Sequence, residues 1–279
     1  AQPAPSRDTG PRANASAAVN FSRQSTSLLT IPTDAVVSGN YAYCAALSGL
    51  IILDISSPSS PTIVGELSLV SPANQKWDIV LNGSYVYIPD TSVGLYVIDV
   101  STPSAPALVT INTYIAKPWR ILRDGNYLYA IGRESSGNLG VYDLTDPANP
   151  SGIATLGLFG GRTINKKGNY LFVIDDSGVL WLVDVSTPGS PTSPYGLSGF
   201  LANPWNSDLR GNLLATVDLN GNVQFVNVTN PLLPAVYSSY TATASQGIGI
   251  LNDTLVVVAR KNLGLQVLNV GDPFTPVSA

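Results

Sequence analysis

Apolar and polar positions alternate along most of this chain with the two-residue period of β-strands. The alternating stretches are short and rich in Val, Ile, Leu and Tyr, as in "YVYIPD" from Tyr85 and "LYVIDV" from Leu95. No segment carries a helical period with caps. The stretches are cut by turn signals that recur. A segment of the form Asp/Asn-x-x-x-Pro-x-x-Pro starts at Asp54, Asp99, Asp143, Asp184, Asn227 and Asn269, at intervals of 45, 44, 41, 43 and 42 residues. It takes 12 of the 21 prolines, which makes coincidence a poor explanation. A second marker runs in phase, "SGNYAY", "NGSYVY", "DGNYLY", "KGNYLF", "RGNLLA" and "NDTLVV", anchored at Gly39, Gly83, Gly125, Gly168, Gly211 and Asn252. A third is a turn glycine at Gly49, Gly94, Gly137, Gly178, Gly221 and Gly264.

These markers divide each unit into four strands. Strand A precedes the Gly-Asn turn, B runs from it to the second glycine, C ends at the Asp/Asn, and D follows the second Pro. Gly-Asn permits the positive φ of a tight hairpin, and an Asp or Asn side chain can bond a backbone N–H two residues on. Proline has no N–H and belongs in the C-to-D connection. Six four-stranded units of about 43 residues have the size of propeller blades. The expected fold is therefore all-β, a six-bladed β-propeller of four-stranded antiparallel blades, with a linear solenoid as the structural alternative. The blades are expected over about 34–76, 77–118, 119–161, 162–204, 205–246 and 247–279.

The sixth unit stops just past its second Pro and leaves almost no room for a strand D. Residues 25–33, "STSLLTIPT", resemble the D segments "PTIVGELSLV" and "PALVTINTYI" and are expected to supply it, through Ser25, Leu28, Leu29 and Ile31. Pairing within one chain closes the ring and removes two exposed edges. Pairing with the next molecule makes a polymer by strand addition. Residues 1–24 lack the pattern, are rich in Ala, Ser, Pro, Asn and Arg, and read as a flexible N-terminal arm.

Composition narrows the chemistry. Charged residues make up 11% of the 279 residues, against an average of about 25%. With net charge −4 and no Lys/Arg run, nothing is available to hold a phosphate backbone, and nucleic acid is not an expected partner. There is no His, which removes the usual general base, the Ser-His-Asp and Cys-His arrangements and most zinc sites. No catalytic residue, metal or cofactor is expected. The single Cys44 aligns with Ile88, Ala130, Val173, Thr216 and Val257 in strand B, the place of a buried small apolar residue. No apolar run approaches the roughly 18 residues of a spanning helix. The absence of Met and the opening "AQPAPSRDTGPRANASAAVN" suggest a secreted chain whose signal peptide has been removed, placed outside the cell or at its surface. Sequons start at Asn14, Asn20, Asn82, Asn227 and Asn252 and accept glycans where the organism makes them.

The segments "GLYVIDVSTPSAP", "SGLIILDISSPSSP" and "VLWLVDVSTPGSP", each after a "GNYLY"-type hairpin, resemble the LVIVD repeat family over residues 34–277. The last two units have Asn for Asp, and the third has Leu-Thr-Asp for Val-Ser-Thr. The resemblance implies a bacterial or archaeal propeller that is secreted or surface-attached, commonly a module of larger extracellular proteins. It carries over no catalytic constellation.

In a propeller the D-to-A and B-to-C connections share one face, and the starts of the A strands line the channel. The aligned pairs there are Thr33-Asp34, Trp77-Asp78, Trp119-Arg120, Arg162-Thr163, Trp205-Asn206 and Gln246-Gly247. Trp77, Asp78, Trp119, Arg120, Arg162, Trp205 and Asn206 are the candidate ligand-binding residues, an aromatic platform with polar handles for a sugar ring or another flat ligand. The packing alternative is that the rings plug the channel or wedge adjacent blades. "DLNGN" from Asp218 and "DDSGVLW" from Asp175 read as hairpin turns, although the first resembles the start of a calcium loop. The six aligned Asp/Asn residues read as turn formers on the periphery.

The expected function is that of a non-enzymatic extracellular structural or interaction protein of a microbial surface, self-assembling through its N-terminal segment. Its partners are then other copies of itself or surface proteins. A surface with few ions loses little by desolvation on contact. The alternative is a carbohydrate-binding or adhesive propeller using the Trp-rich face, with glycans as partners. An enzyme is a third class, and fold alone does not license it.

Overall fold

The computed structural model describes residues 32–69, 71, 76–133, 138–158, 160–199 and 203–279. Among them lie six four-stranded antiparallel sheets, each paired in chain order, so that every blade is a meander. Blade one holds β1 (Pro32–Ser38), β2 (Tyr41–Ala46), β3 (Gly49–Asp54) and β4 (Thr62–Ser68). Blade two holds β5 (Val80–Asn82), β6 (Tyr85–Asp90), β7 (Gly94–Asp99) and β8 (Ala107–Asn112). Blade three holds β9 (Pro118–Asp124), β10 (Tyr127–Gly132), β11 (Asn138–Asp143) and β12 (Ser151–Gly157). Blade four holds β13 (Gly161–Lys167), β14 (Tyr170–Asp175), β15 (Leu180–Asp184) and β16 (Thr192–Leu197). Blade five holds β17 (Pro204–Arg210), β18 (Leu213–Asp218), β19 (Asn222–Asn227) and β20 (Ala235–Thr241). Blade six holds β21 (Ser245–Ile250), β22 (Leu255–Arg260), β23 (Gly264–Asn269) and β24 (Val277–Ser278). The chain is a six-bladed β-propeller.

The two-residue period explains how the blades pack. In blade two, Val86, Ile88, Tyr96 and Ile98 turn toward blade one and meet Tyr43, Ala45, Leu50 and Ile52. Their neighbours Tyr87, Leu95 and Val97 turn the other way, against Ile121, Leu128 and Ala130 of blade three. The central strands are thus covered on both faces, which is why they read as nearly unbroken apolar runs. Blades three and four, four and five, and five and six share cores of the same kind. A buried ion pair also ties blade one to blade two. Lys76 Nζ lies 3.3 Å from Asp90 Oδ2 with both side chains fully buried, and it donates to the Leu47 carbonyl at 3.1 Å. Burial holds the Lys76 amine below its usual range.

The repeated prolines and carboxylates do what their spacing requires. At the end of strand C, the side-chain oxygens of Asp54, Asp99, Asp143, Asp184, Asn227 and Asn269 accept the N–H two residues on, at 2.7–2.9 Å. The five glycines of the A-to-B turns, from Gly39 to Gly211, all sit at φ of 55–58°. That left-handed conformation costs glycine nothing and strains a residue with a Cβ. The carboxylates of Asp175 and Asp218 are consumed within their own turns. Asp175 accepts from Ser177, Val179 and the Trp181 indole, and Asp218 from Asn220 and Asn222.

Blade six corrects one expectation. Its fourth position is not left empty by its own unit, since β24 pairs with Leu268 and Asn269 of β23. The pairing is short, with two residues on each strand. Strand A of blade one also begins earlier than expected, at Pro32, so Pro32 and Thr33 belong to β1. Ser25, Leu28, Leu29 and Ile31, assigned to strand closure or subunit contact, lie outside the described residues.

Candidate functional site

The channel-lining positions are set by a repeated backbone device. In strand A the ladder skips one residue between Pro32 and Asp34, Gly161 and Thr163, Pro204 and Asn206, and Ser245 and Gly247. In blade three it skips between Pro118 and Arg120. The skipped residues are Thr33, Arg162, Trp205, Gln246 and Trp119, the aligned column read from the sequence. A bulge leaves its extra residue out of the pairing and re-aims its side chain. A left-handed residue stands two positions earlier in four blades: Lys117 (φ 53°), Gly160 (φ 55°), Asn203 (φ 56°) and Ala244 (φ 65°). Three of the four carry a Cβ, so the fold holds a sparsely populated conformation here repeatedly.

The bulges at Trp119 and Trp205 bring their indoles beside that of Trp77. Trp77 and Trp119 have ring centroids 5.6 Å apart, Trp77 and Trp205 6.1 Å, and Trp119 and Trp205 6.0 Å, the last two edge to face. Three guanidinium groups surround the middle ring: Arg133 at 4.6 Å from the Trp119 centroid, Arg162 at 5.6 Å and Arg120 at 6.0 Å. Arg162 also lies 5.5 Å from Trp205. Trp119 is only 1% exposed. Arg162 pairs with Asp176, and Arg120 donates to the Trp77 carbonyl. Burial first, then the like charge of Arg162, lowers the pKa of Arg133.

One position further along the chain in blades one to five the lining turns polar. Asp34, Asp78, Arg120, Thr163 and Asn206, with Ile121, Ile164 and Ser207, line a cavity of about 210 Å³. Asp78 accepts the N–H of Ile79 at 2.9 Å and, across the blade boundary, that of Ile121 at 2.8 Å. Asp208 does the same between blades five and six, from Leu209 at 2.8 Å and Ile250 at 2.6 Å. Burial pushes the Asp78 carboxyl up to about 7, Arg120 opposes the rise and neighbouring Asp34 adds to it. These acids therefore serve as stitches between A strands.

The sequence-derived residues all reach the channel, where they form two layers. Trp77, Trp119, Trp205 and Arg162 make an aromatic and cationic layer; Asp78, Arg120 and Asn206 contribute to the polar one. The ring faces are spent on one another and on guanidinium groups. Each ring pair is worth about 0.5–1.5 kcal/mol and each cation–π contact about 0.5–1 kcal/mol or more. Opening the layer to stack a sugar would break several such contacts to gain one. Arg133 was not among the expected residues. It ends strand B rather than starting strand A, and only the folded blade brings it to the Trp119 ring. Cys44 is buried in strand B, where burial raises its thiol pKa, as suits a packing residue rather than a nucleophile.

Comparison with known proteins bears on fold and repeat type. The family model described as the LVIVD repeat matches residues 33–68, 75–113 and 162–193. None of the curated proteins matches the chain. Among solved structures, the periplasmic gluconolactonase of Pseudomonas aeruginosa is similar with a TM-score of 0.73 at 13% identity, over 86% of this chain and 81% of that one. A functionally unknown protein from Desulfotomaculum acetoxidans gives 0.67 at 14% identity, over 82% and 75%. The computationally designed Ika8 protein gives 0.64 at 13% identity, over 87% and 72%. At these identities the likeness is one of fold.

Proposed function

We propose that this LVIVD-repeat β-propeller is a non-enzymatic, secreted structural protein of a microbial surface that assembles with copies of itself by strand addition at blade six. The observation that carries the reading is the edge of β23. Its own fourth strand covers only Leu268 and Asn269, with one further bond from the Ala279 N–H to the Val267 carbonyl at 2.9 Å. In blade five the corresponding strand, β19, is paired along its whole length from Asn222 to Asn227. Backbone groups alternate sides along a strand. Leu265, two residues before Val267, therefore presents its N–H and C=O to the same edge, and no described residue pairs with them. Leu265 is also 54% exposed. An apolar edge that no described residue pairs with is a template for another strand.

The occupant with suitable chemistry is residues 25–31, which precede β1 and continue the alternating pattern of the D strands of the other blades. No helix among the described residues is long and apolar enough to cross a membrane. The low charge of the chain favours contact over repulsion. The carbohydrate-binding reading asks the Trp119 layer to open, which the mutual stacking opposes. The enzyme reading, which the fold of the gluconolactonase brings to mind, finds the cavity acids Asp34 and Asp78 already accepting backbone N–H groups. Light scattering on the full chain and on a chain lacking residues 1–31 tests the proposal. Large assemblies that disappear with the deletion support it, and identical behaviour refutes it.

A further inference from the structure

In five blades the A-to-B turn is built on a left-handed glycine, and in blade six it is not. Leu251 to Leu255 replaces the glycine by Asn-Asp-Thr, and the turn is held by a side chain instead. Asn252 Oδ1 accepts the Thr254 N–H at 2.9 Å, the Leu255 N–H at 2.9 Å and the Thr254 hydroxyl at 3.0 Å. The carbonyl oxygen is saturated. The Nδ2 amide of this exposed residue has no partner among the described residues. The hydroxyl two residues on is already bonded to the amide group it must assist in an Asn-x-Thr acceptor.

The other described sequons differ. Asn82 is half-buried at the end of β5, where it pairs with Tyr85 of β6. Asn227 is half-buried at the end of β19, inside the ladder, with its oxygen on the Thr229 N–H at 2.8 Å. Space is the second, independent observation. Asn252 and Asp253 stand at the rim of a groove of about 350 Å³ between blades five and six, lined also by Arg210, Tyr237 and Pro273. The Tyr237 ring, backed edge to face by Phe274 at 4.7 Å, offers an apolar wall beside polar groups, the surface a sugar ring prefers.

We infer that Asn252 is an acceptor site for an N-linked glycan in the folded propeller, with the first sugar lying in the groove beside Tyr237. The donor class is a polyprenyl-diphosphate-linked saccharide acted on by an oligosaccharyltransferase. Asn252 Nδ2 forms a bond to the sugar C1 as the C1–O bond to the diphosphate breaks. The diphosphate leaves with that electron pair, and the amide proton passes to the transferase. Nothing is oxidised or reduced. The inference does not depend on assembly at β23.

The test is transfer from such a donor to the purified, folded chain by a single-subunit oligosaccharyltransferase that accepts Asn-x-Thr, read by peptide mass mapping. The glycan mass is expected on the Asn252 peptide and not on the Asn82 peptide. Unfolding in denaturant, followed by transfer to the digested peptides, should expose Asn82 as well. Asn252→Gln and Thr254→Val should each lose the Asn252 signal while circular dichroism stays unchanged, and Thr254→Ser should keep part of it. Absence of transfer to Asn252 in the folded chain, or equal transfer to Asn82 there, overturns the inference.

Discussion

The boundary between blades one and two and the boundary that follows blade six are made from the same repeat, yet they are filled differently. At the first, residues from both sheets interlock into one core, with Ile52, Val86, Ile88 and Ile98 fully buried. At the second, blade one presents Ala42, Cys44, Ala46 and Ile51, a buried cluster that draws on blade one alone among the described residues. Blade six presents Val257 and Val267, partly buried, and the exposed Leu265. A repeat sequence thus specifies each sheet locally, while burial at a boundary depends on what the neighbour contributes. Stability concentrates in the shared cores, and the proposed association falls at the edge of β23.

The largest effect that sharpens this contrast is expected at Lys76. Lys76→Met leaves Asp90 charged and buried without its partner, which should destabilise by about 3–5 kcal/mol. Denaturant unfolding would measure it, and a change within experimental scatter would remove the ion pair from the account. Next comes Ile88→Ala, which empties the core between blades one and two and should cost about 2–5 kcal/mol. The matching change at the other boundary, Leu265→Ala, should fall within about 0.5 kcal/mol for the separated chain. Equal losses from the two alanine variants would mean that the boundaries do not differ in the way described.

A smaller effect should appear with pH. The folded-state pKa of Asp78 is raised to about 7 by burial, so the folded chain binds a proton there that the unfolded chain releases near 4. Stability should therefore fall as pH rises from about 4 through about 7. Asp78→Asn should flatten that decline in thermal unfolding followed from pH 4 to 8. A profile that rises over this interval in the parent chain because of Asp78 would show an ionised, stabilising carboxylate instead.

Much of this architecture was legible in the sequence because its signals are local. The proline connection, the Asp or Asn before it and the glycine turn each act over a few residues, and the six side-chain caps form where that spacing puts them. The column of channel residues was legible too, since alignment of repeats fixes depth in the ring. The bulges that aim Trp119 and Trp205 inward were not, because a bulge exists only relative to the partner strand. Nor was Arg133, which meets Trp119 by folding rather than by sequence position. The two-residue β24 lay below what a pattern can reveal, as did the earlier start of β1 at Pro32, where a proline masked the strand. The stacking of three indoles on one another depends on ring orientations that no alignment carries.

The most direct test of assembly at blade six is an inter-chain cross-link in a Cys44→Ala background. One chain carries Leu29→Cys and the other Leu265→Cys, and the two are mixed and oxidised. A disulfide-linked heterodimer, lost when residues 1–31 are deleted from the first chain, is the predicted result. A disulfide that forms only when both cysteines are placed in the same chain would contradict the account, because the segment would then complete its own ring.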